Sequence, residues 1–211
     1  MSAREAILSA VRAALGRGVA QPPEAPPAPR IRIPETSVEA RIDAFSAALG
    51  RLAGRTILAA SPGDARHYVS DVIGGKPSVA SNASFLRTCE IDRLGPVQTG
   101  FTEESALRAA CAAAAFGITS ADYALADTGT LVMLSSPEEA RMISLLPPVH
   151  LAVVPRERIL TGLDELFSIL PQPGNMTSSM VLITGPSRTA DIEQILVRGV
   201  HGPGEIHAIV V

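Results

Sequence analysis

Residues 180–193 read Met-Val-Leu-Ile-Thr-Gly-Pro-Ser-Arg-Thr-Ala-Asp-Ile-Glu, and this order of residue types is the best guide to the architecture of the chain. The apolar run from Met180 to Ile183 predicts a buried strand, and the Gly185-Pro186 pair predicts a turn. Asp191 and Glu193 then fit the first turn of a helix, where carboxylates interact favourably with the helix dipole. A strand that leads through a short turn into a helix is the repeating unit of α/β domains.

The turn in this stretch predicts a pocket for an anion. Free amide groups at the start of a helix attract negative charge, and Ser187 or Thr189 can cap the helix. Arg188 adds a guanidinium that capping does not require. The alternative is an ordinary strand-to-helix turn, since glycine, proline and hydroxyl residues are common in turns. We favour anion binding, with Gly185, Ser187, Arg188 and Thr189 as the predicted ligand contacts.

A second glycine-rich loop, Gly199-Val200-His201-Gly202-Pro203-Gly204, follows a few residues later. Its glycines permit a ligand to approach the backbone closely, and His201 supplies a side chain of the type that most often acts in acid–base catalysis. His201 is therefore a candidate catalytic residue, and Gly202 is a candidate ligand contact. We expect the functional site to lie where the two loops meet.

The composition is that of a soluble globular protein with one sizeable core. Of the 211 residues, 46% are hydrophobic and only 3% are aromatic, which suits a parallel sheet of small aliphatic residues covered by helices. The net charge of −3 argues against a broad nucleic-acid surface. Cys89 and Cys111 are far apart and form no zinc or cluster motif, which favours a reduced, cytoplasmic setting. No apolar run approaches the roughly 20 residues of a membrane span.

The remaining pattern predicts a domain over residues 36–211 with a layered, largely parallel sheet flanked by helices. Thr36 and Glu39 have capping-box spacing, and apolar residues from Val38 to Leu52 recur at intervals of three and four. Strands are expected at 56–60, 78–80, 149–154, 180–184 and 206–211, and helices at 36–52, 62–73, 103–115, 163–170 and after Gly185.

Residues 1–18 predict an amphipathic helix, and residues 19–35 predict a proline-rich extended linker. Ser2 and Glu5 have capping-box spacing, and one stripe is apolar (Ile7, Leu8, Val11 and Leu15). This stripe docks on the same protein, on a second copy or on a partner. We favour a homo-oligomer held through this helix.

Two strand-like halves flank Asp127-Thr128-Gly129-Thr130, and this predicts a hairpin. In one interpretation Asp127 and Gly129 are ordinary turn residues. In the other, Asp127 lies at a strand end facing the pocket, where burial raises its pKa enough for acid–base catalysis. Both remain open, with Asp127 as a candidate catalytic residue and Thr128, Gly129 and Thr130 as candidate ligand contacts. A second Asp-Thr-Gly, as in aspartic proteases, is absent from the sequence.

Other polar residues are candidates of lower rank. His150 begins an apolar strand and fits either a hydrogen-bonded core histidine or a ligand contact. Arg141 reaches a carboxylate ligand or pairs with Asp127. His150, His201 and Asp127 together are a conceivable metal site, but their irregular spacing argues against a bound metal. Glu138 and Glu139 have the composition of a solvated helix start.

The run from Asp122 to the end resembles the LUD domain, and specifically the lactate-utilisation protein C family. The matching segments cover about the last 90 residues and are Ala126–Thr130, Arg141, Leu146–His150, Gly185–Ile192 and Gly199–Pro203. The resemblance implies a fold similar to the ribose-phosphate isomerases, glucosamine-phosphate deaminases and coenzyme A transferases. It also implies a role in oxidising L-lactate to pyruvate beside two iron–sulphur partner proteins. The missing cysteine motifs agree with a cluster-free member.

Three functions follow as hypotheses. The first is a cluster-free component of a lactate-oxidising system that binds a small anionic ligand, a nucleotide or an organic cofactor, none of them covalently. Electrons then pass through iron–sulphur partners, because no group in this chain accepts a hydride without a cofactor. The second is a stand-alone enzyme on phosphorylated or acyl-thioester small molecules. The third is a non-catalytic adaptor that uses the N-terminal helix.

Overall fold

A computed structural model describes residues 2–16, 18, 33–170, 179–189 and 197–211. The chain divides into two compact units, residues 1–31 and 32–211. The predicted proline-rich stretch from Gln21 to Pro29 lies outside the described residues, as do Asp191 and Glu193 of the predicted C-terminal helix.

The first unit contains the predicted N-terminal helix, α1 (Ala3–Ala14). Its capping box is confirmed, because the Glu5 amide donates to Ser2 Oγ and the Ser2 amide donates to Glu5 Oε2. Ile7, Val11 and Leu15 are exposed along one stripe. What covers this stripe stays a prediction.

Five α-helices lie among the described residues of the second unit. The helix that opens it is capped by Ser37, whose Oγ accepts from the Ala40 amide, and not by Thr36 as the spacing predicted. No helix in the described part of the chain is long and apolar enough to cross a membrane. The five are α2 (Val38–Arg51), α3 (Pro62–Ile73), α4 (Ser84–Thr88), α5 (Glu104–Ala113) and α6 (Leu163–Ile169).

The main sheet has six strands, and every neighbouring pair in it is parallel. This confirms the predicted α/β class with a largely parallel sheet. The spatial order is β1-β12-β7-β4-β2-β3. These strands are β1 (Arg55–Leu58), β2 (Ser78–Ala80), β3 (Val97–Gln98), β4 (Phe116–Ser120), β7 (Val149–Val154) and β12 (Glu205–Val210).

A second, four-stranded sheet holds the predicted hairpin. Its strands are β5 (Tyr123–Leu125), β6 (Thr130–Leu134), β8 (Ile159–Leu160) and β9 (Met180–Ile183), in the order β8-β5-β6-β9. Strands β5 and β6 are antiparallel, so the hairpin at Asp127–Gly129 is confirmed. The strand predicted at 180–184 pairs with β6 and does not join the main sheet.

Apolar side chains hold these layers together on both faces of the main sheet. On one face, Val69 and Ile73 of α3 pack with Ile118 and Leu151. On the other, Phe45 and Leu49 of α2 pack in one cluster with residues of both sheets, including Leu131 of the second sheet. The core is therefore a stack of helix, sheet, then helix with a smaller sheet.

The structure corrects the prediction that a helix begins directly after Gly185. Arg188 and Thr189 form a short strand, β10 (Arg188–Thr189), which pairs antiparallel with β11 (Val197–Arg198). The reason is that the Ser187 amide donates to Pro203 O and the Gly199 amide donates to Ser187 O. These bonds satisfy the backbone with a neighbouring loop instead of a helical turn.

The strand order places a topological switch point between β2 and β4. After β2 the chain moves outward to β3, whereas after β4 the main sheet continues in the opposite direction through β7 and β12. The segments that follow β2 and β4 therefore diverge and leave a crevice at the carboxyl edge. Open α/β sheets bind ligands at such a crevice.

Candidate functional site

The two glycine-rich loops that the sequence predicted to meet are in contact. Ser187 N lies 2.9 Å from Pro203 O, and Gly199 N lies 3.0 Å from Ser187 O. A Cβ on Gly202 would lie 3.4 Å from the Ser187 Cβ, in ordinary contact. Both backbone groups of Ser187 are thus used inside the fold, and its amide is already donated to a carbonyl.

Arg188 and His201 of these loops are exposed, whereas Ser187 and Thr189 are partly buried. The Arg188 guanidinium donates to the carbonyl oxygen of Leu52, the residue directly after α2. A cation is favourable at the carboxyl end of a helix, so this contact supports the fold without a ligand. His201 is exposed and has no hydrogen-bond partner within the described ranges.

The Asp-Thr-Gly-Thr turn forms a chain of hydroxyl hydrogen bonds. Thr128 Oγ1 donates to Asp127 Oδ1 at 3.2 Å, and Thr130 Oγ1 lies 2.8 Å from both Thr128 Oγ1 and Thr184 Oγ1. Asp127 is exposed, so the burial that acid–base catalysis needed at this carboxylate is not found. Gly129 has φ of +68°, and a Cβ on it would lie 2.4 Å from Leu49 N in α2. Close packing against α2 therefore requires this glycine.

His150 and Arg141 occupy different environments. His150 is fully buried, its Nε2 lies 2.7 Å from Thr119 Oγ1, and burial lowers its pKa to about 4. It is therefore a neutral histidine of the core at pH 7. Arg141 is exposed on a short 3-10 helix, Arg141–Ser144, and forms no ion pair with Asp127 or any other described residue.

A cavity of about 650 Å³ opens at the switch point, away from these loops in sequence. It lies at the carboxyl ends of β2, β4 and β7, where segments following each strand form its walls. Its volume falls in the range of about 300–1,000 Å³ that is usual for organic ligands. The lining residues are Ala83, Ser84, Phe85, Arg87, Ser120, Ala121, Asp122, Ser136, Glu138, Glu139, Pro155, Glu157 and Arg158.

Glu139 is the buried ionisable group in this cavity wall, with an exposed fraction of only 7%. Its Oε2 accepts from Ser81 Oγ at 2.7 Å and from the Ser120 amide at 3.4 Å. Its Oε1 is buried and has no partner among the described residues. Burial, aided by the nearby Asp122 carboxylate, raises the pKa of Glu139 to about 8 despite those two hydrogen bonds. The carboxyl is therefore mostly neutral at pH 7.

Charged groups surround Glu139 in the cavity. Burial also raises the pKa of Asp122, against the opposing effects of the Leu134 amide bonded to Oδ2 at 2.7 Å and of Arg158. Arg158 lies 5.2 Å above the ring of Tyr123, and Arg87 donates to the carbonyl oxygen of Asn82. Both guanidinium groups are exposed at the cavity, and neither forms an ion pair within the described part of the chain.

The sequence-based interpretation of Glu139 as a solvated helix start is wrong. The residue lies in the segment between β6 and β7, which folds over the sheet edge, and the Asn82 amide donates to Glu138 O at 2.8 Å. Pro137-Glu138-Glu139 has the composition of an exposed turn. The available signal was the apolar character of Ala140, Met142 and Ile143, which shows that the chain returns to the core directly afterwards.

The described residues contain no group of three or more histidine, cysteine, aspartate or glutamate side chains arranged to hold a metal ion. The cavity wall carries four carboxyl groups, two guanidinium groups and several apolar residues. The guanidinium groups of Arg87 and Arg158 are the part of this wall with the chemistry to bind an anion.

Comparison with known proteins gives consistent matches. A family model described as LUD domain matches residues 42–211. The chain is 40% identical over 99 residues to lactate utilization protein C of Bacillus licheniformis, covering 45% of this chain and 41% of that protein. It is 41% identical over 93 residues to the protein of that name in Bacillus subtilis, covering 41% of this chain and 38% of that protein. The matches thus span about two fifths of each relative.

A solved structure has the same fold. A DUF162 family protein from Deinococcus radiodurans matches with a TM-score of 0.61, covering 84% of this chain and 99% of that chain. The sequence identity is 17%, so this likeness concerns the arrangement of the elements alone.

Proposed function

This chain belongs to the LUD domain family, and we propose that it is a cluster-free component of a system that oxidises L-lactate to pyruvate. Two observations support the proposal. The family model matches residues 42–211, and relatives at about 40% identity carry the name lactate utilization protein C. The role in lactate use comes from those relatives, and the binding role comes from the geometry of the cavity.

The single structural observation that carries the binding role is the buried Glu139 carboxyl in the wall of a 650 Å³ cavity. A buried ionisable group with a strongly raised pKa in a cleft is a frequent mark of a functional site. Arg87 and Arg158 supply positive charge for an anion at the same cavity. The volume exceeds the need of a three-carbon acid, and it leaves room for a nucleotide or an organic cofactor beside it.

Electron transfer is assigned to partners in this proposal. Cys89 and Cys111 are both buried and free, and they lie in different apolar clusters. Burial raises the pKa of both thiols, to about 11 for Cys89, which disfavours the thiolate that an iron–sulphur cluster needs. The iron–sulphur partner proteins implied by the family resemblance would supply the clusters.

The test is growth of the host on L-lactate after deletion of the gene. We expect growth on L-lactate to be lost and growth on pyruvate to be kept, because only the oxidation step is removed. A plasmid copy of the wild-type gene restores growth, and a tagged chain co-purifies with iron–sulphur proteins. Full growth of the deletion strain on L-lactate ends the proposal.

The meeting point of the two loops is the second candidate location for the anion. Arg188 and His201 are both exposed there, and Ser187 and Gly202 are in contact. Arg188→Ala and Arg158→Ala in the complementing copy separate the two locations. We expect Arg158→Ala to slow growth on L-lactate and Arg188→Ala to have the smaller effect; the reverse order would place the anion at the loops.

A stand-alone enzyme on phosphorylated or acyl-thioester small molecules is the second candidate function. It is favoured by the buried Glu139 carboxyl in the cavity wall, because burial raises the pKa of this group to about 8 and a protonated carboxyl can act as a general acid. Turnover of a sugar phosphate or an acyl-thioester by the purified protein would establish it. Ligand binding without turnover leaves the component role as the better account.

A further inference from the structure

We infer that a groove beside α5 binds helix α1 of a second copy of this chain, so that two copies assemble with each helix in the groove of the other. The α5 groove is a cavity of about 360 Å³ between the start of α5 and the segment from Pro137 to Met142. The inference goes beyond the proposed function, because it concerns the assembly of the chain. Helix α1 lies outside the LUD domain match, which begins at residue 42.

Apolar side chains form much of the surface of the α5 groove. Leu107 is only 9% exposed, and it belongs to a core cluster against which the other three pack, namely Phe101, Ala140 and Met142. The surface of the groove is therefore continuous with the core. A concave apolar surface of this kind binds the apolar face of an amphipathic helix in many complexes. The groove thus suits a helix that carries one apolar stripe.

The charged part of the groove wall is mainly acidic. Glu103 and Glu104 are exposed there, and neither forms an ion pair with a residue that the structure describes. Arg141 is the one guanidinium in the described wall, so the carboxylates outnumber it two to one. Complementary charge guides association and disfavours wrong partners. The wall therefore favours a helix that has a positive charge beside its apolar stripe.

Helix α1 has this combination of features. It buries no residue, and Ile7, Val11 and the C-terminal cap Leu15 are 64%, 50% and 58% exposed. Because residues four apart lie on one face of a helix, these side chains form a stripe about 12 Å long. Arg4 precedes Ile7 by three residues and so lies on the same face, one turn before the stripe. It forms no ion pair with a described residue.

Net charge favours the α5 groove over a second α1 as the surface that covers the stripe. Residues 1–31 carry a net charge of +2, whereas the remaining residues carry a net charge of −5. Two α1 helices packed together would bring two basic segments side by side, where like charges repel. A helix in the groove of a second copy brings opposite charges together. Two-fold symmetry makes this contact twice in one dimer, which doubles the apolar area that it buries.

The first experiment is sedimentation velocity of the full chain over a range of protein concentrations. We expect a dimer for the wild type. Val11→Asp places a carboxylate in the apolar contact, and we expect the dissociation constant of the dimer to rise at least about tenfold. Ser9→Asp adds the same charge on the opposite face of α1 and is the matched control, with little change expected. Circular dichroism verifies that both variants fold.

A charge exchange tests the groove itself. Arg4→Glu puts a carboxylate against the acidic wall, and the double variant Glu103→Arg, Glu104→Arg makes the wall basic against Arg4. Each variant alone should have a dimer dissociation constant at least about tenfold above that of the wild type. In an equal mixture of the two variants both contacts regain opposite charges. We therefore expect the mixture to form a heterodimer of nearly wild-type affinity.

If the double variant does not fold, Glu103→Arg alone replaces it, because the Glu103 side chain makes no capping hydrogen bond to α5. A monomeric wild-type chain overturns the inference. A groove variant that dimerises as tightly as the wild type indicates pairing of two α1 helices and also overturns it. Folded charge variants that do not associate on mixing overturn it as well, because the helix then docks elsewhere. Growth on L-lactate tests the proposed function separately.

Discussion

The loops around Arg188 and the cavity at Glu139 differ in how their polar groups are satisfied. In the loops, the Ser187 amide, the Arg188 guanidinium and the threonine hydroxyls have partners inside the fold. In the cavity wall, Glu139 is buried, and Oε1 has no partner among the described residues. The fold explains the bonds of Ser187, Arg188 and the threonines, whereas His201 in the same loops has no partner among the described residues. Glu139 Oε1 is one of six buried side-chain atoms without a partner among the described residues, and unlike the other five it belongs to a residue of the cavity wall.

The substitution with the largest expected effect disrupts the packing of the Asp127–Gly129 turn against α2. Gly129→Ala forces a side chain into a left-handed conformation and brings its Cβ to 2.4 Å from Leu49 N. We expect the free energy of unfolding in urea to fall by about 4 kcal/mol. Gly95→Ala is the control, because its Cβ meets no atom within 4 Å. A change below about 0.5 kcal/mol at Gly129 would mean that the turn is not structural.

The next effect sharpens the assignment of Glu139 as a buried acid. In the folded protein the Glu139 carboxyl keeps its proton up to a pH of about 8, whereas in the unfolded chain a glutamate loses its proton near pH 4.5. The stabilising contribution is therefore complete below pH 4.5 and is lost as the pH rises through 8. We expect the wild type to lose roughly 4 kcal/mol more than Glu139→Gln between pH 5 and pH 9, measured by urea unfolding. Equal pH slopes for the two proteins would contradict a buried carboxyl.

His150 gives a pH effect of opposite sign. The unfolded chain protonates this histidine near pH 6.5, and the folded chain does so only near 4. Stability is thus present above pH 6.5 and lost as the pH falls to 4. We expect His150→Gln to reduce this fall in the free energy of unfolding by about 3 kcal/mol. His201→Gln, at an exposed position, should leave the fall unchanged. An equal effect of the two variants would place both histidines in water.

The smallest expected effect on stability comes from the hydrogen bonds that link the threonine hydroxyl groups at the turn. Thr130→Val removes the hydroxyl that lies 2.8 Å from Thr128 Oγ1 and from Thr184 Oγ1. We expect a loss of about 1 kcal/mol in unfolding free energy, measured by urea unfolding. Thr102→Val, at an exposed position, serves as the control. Equal stability of Thr130→Val and the wild type would mean that these hydrogen bonds do not stabilise the turn.

The sequence was sufficient for the α/β class because the strand and helix patterns are local. The runs at β7 and β12 are mostly aliphatic, and the period of α2 matches its buried residues Ile42, Phe45 and Leu49. The hairpin followed from Asp127 and Gly129 for the same reason. The split into two sheets did not, because nothing in the run from Met180 to Ile183 reveals that it pairs with β6.

The candidate site was less accessible to sequence reasoning. The site was predicted at the loop motifs because glycine, arginine and histidine are frequent at functional sites. The structure shows that the two glycine-rich loops do meet. Glu139 was not predicted as a site residue because its burial is a property of the tertiary structure. Its neighbours Ser81 and Ser120 are 58 and 19 residues away in the chain, so no local spacing connects them.

The most direct test of the central claim is a carbon-13 titration of the Glu139 carboxyl in glutamate-labelled protein, with Glu139→Gln used to assign the signal. We predict that this carboxyl titrates near pH 8 and that Arg188→Ala leaves this result unchanged. Titration near 4.5 would contradict the assignment of Glu139 as a buried acid in the cavity wall.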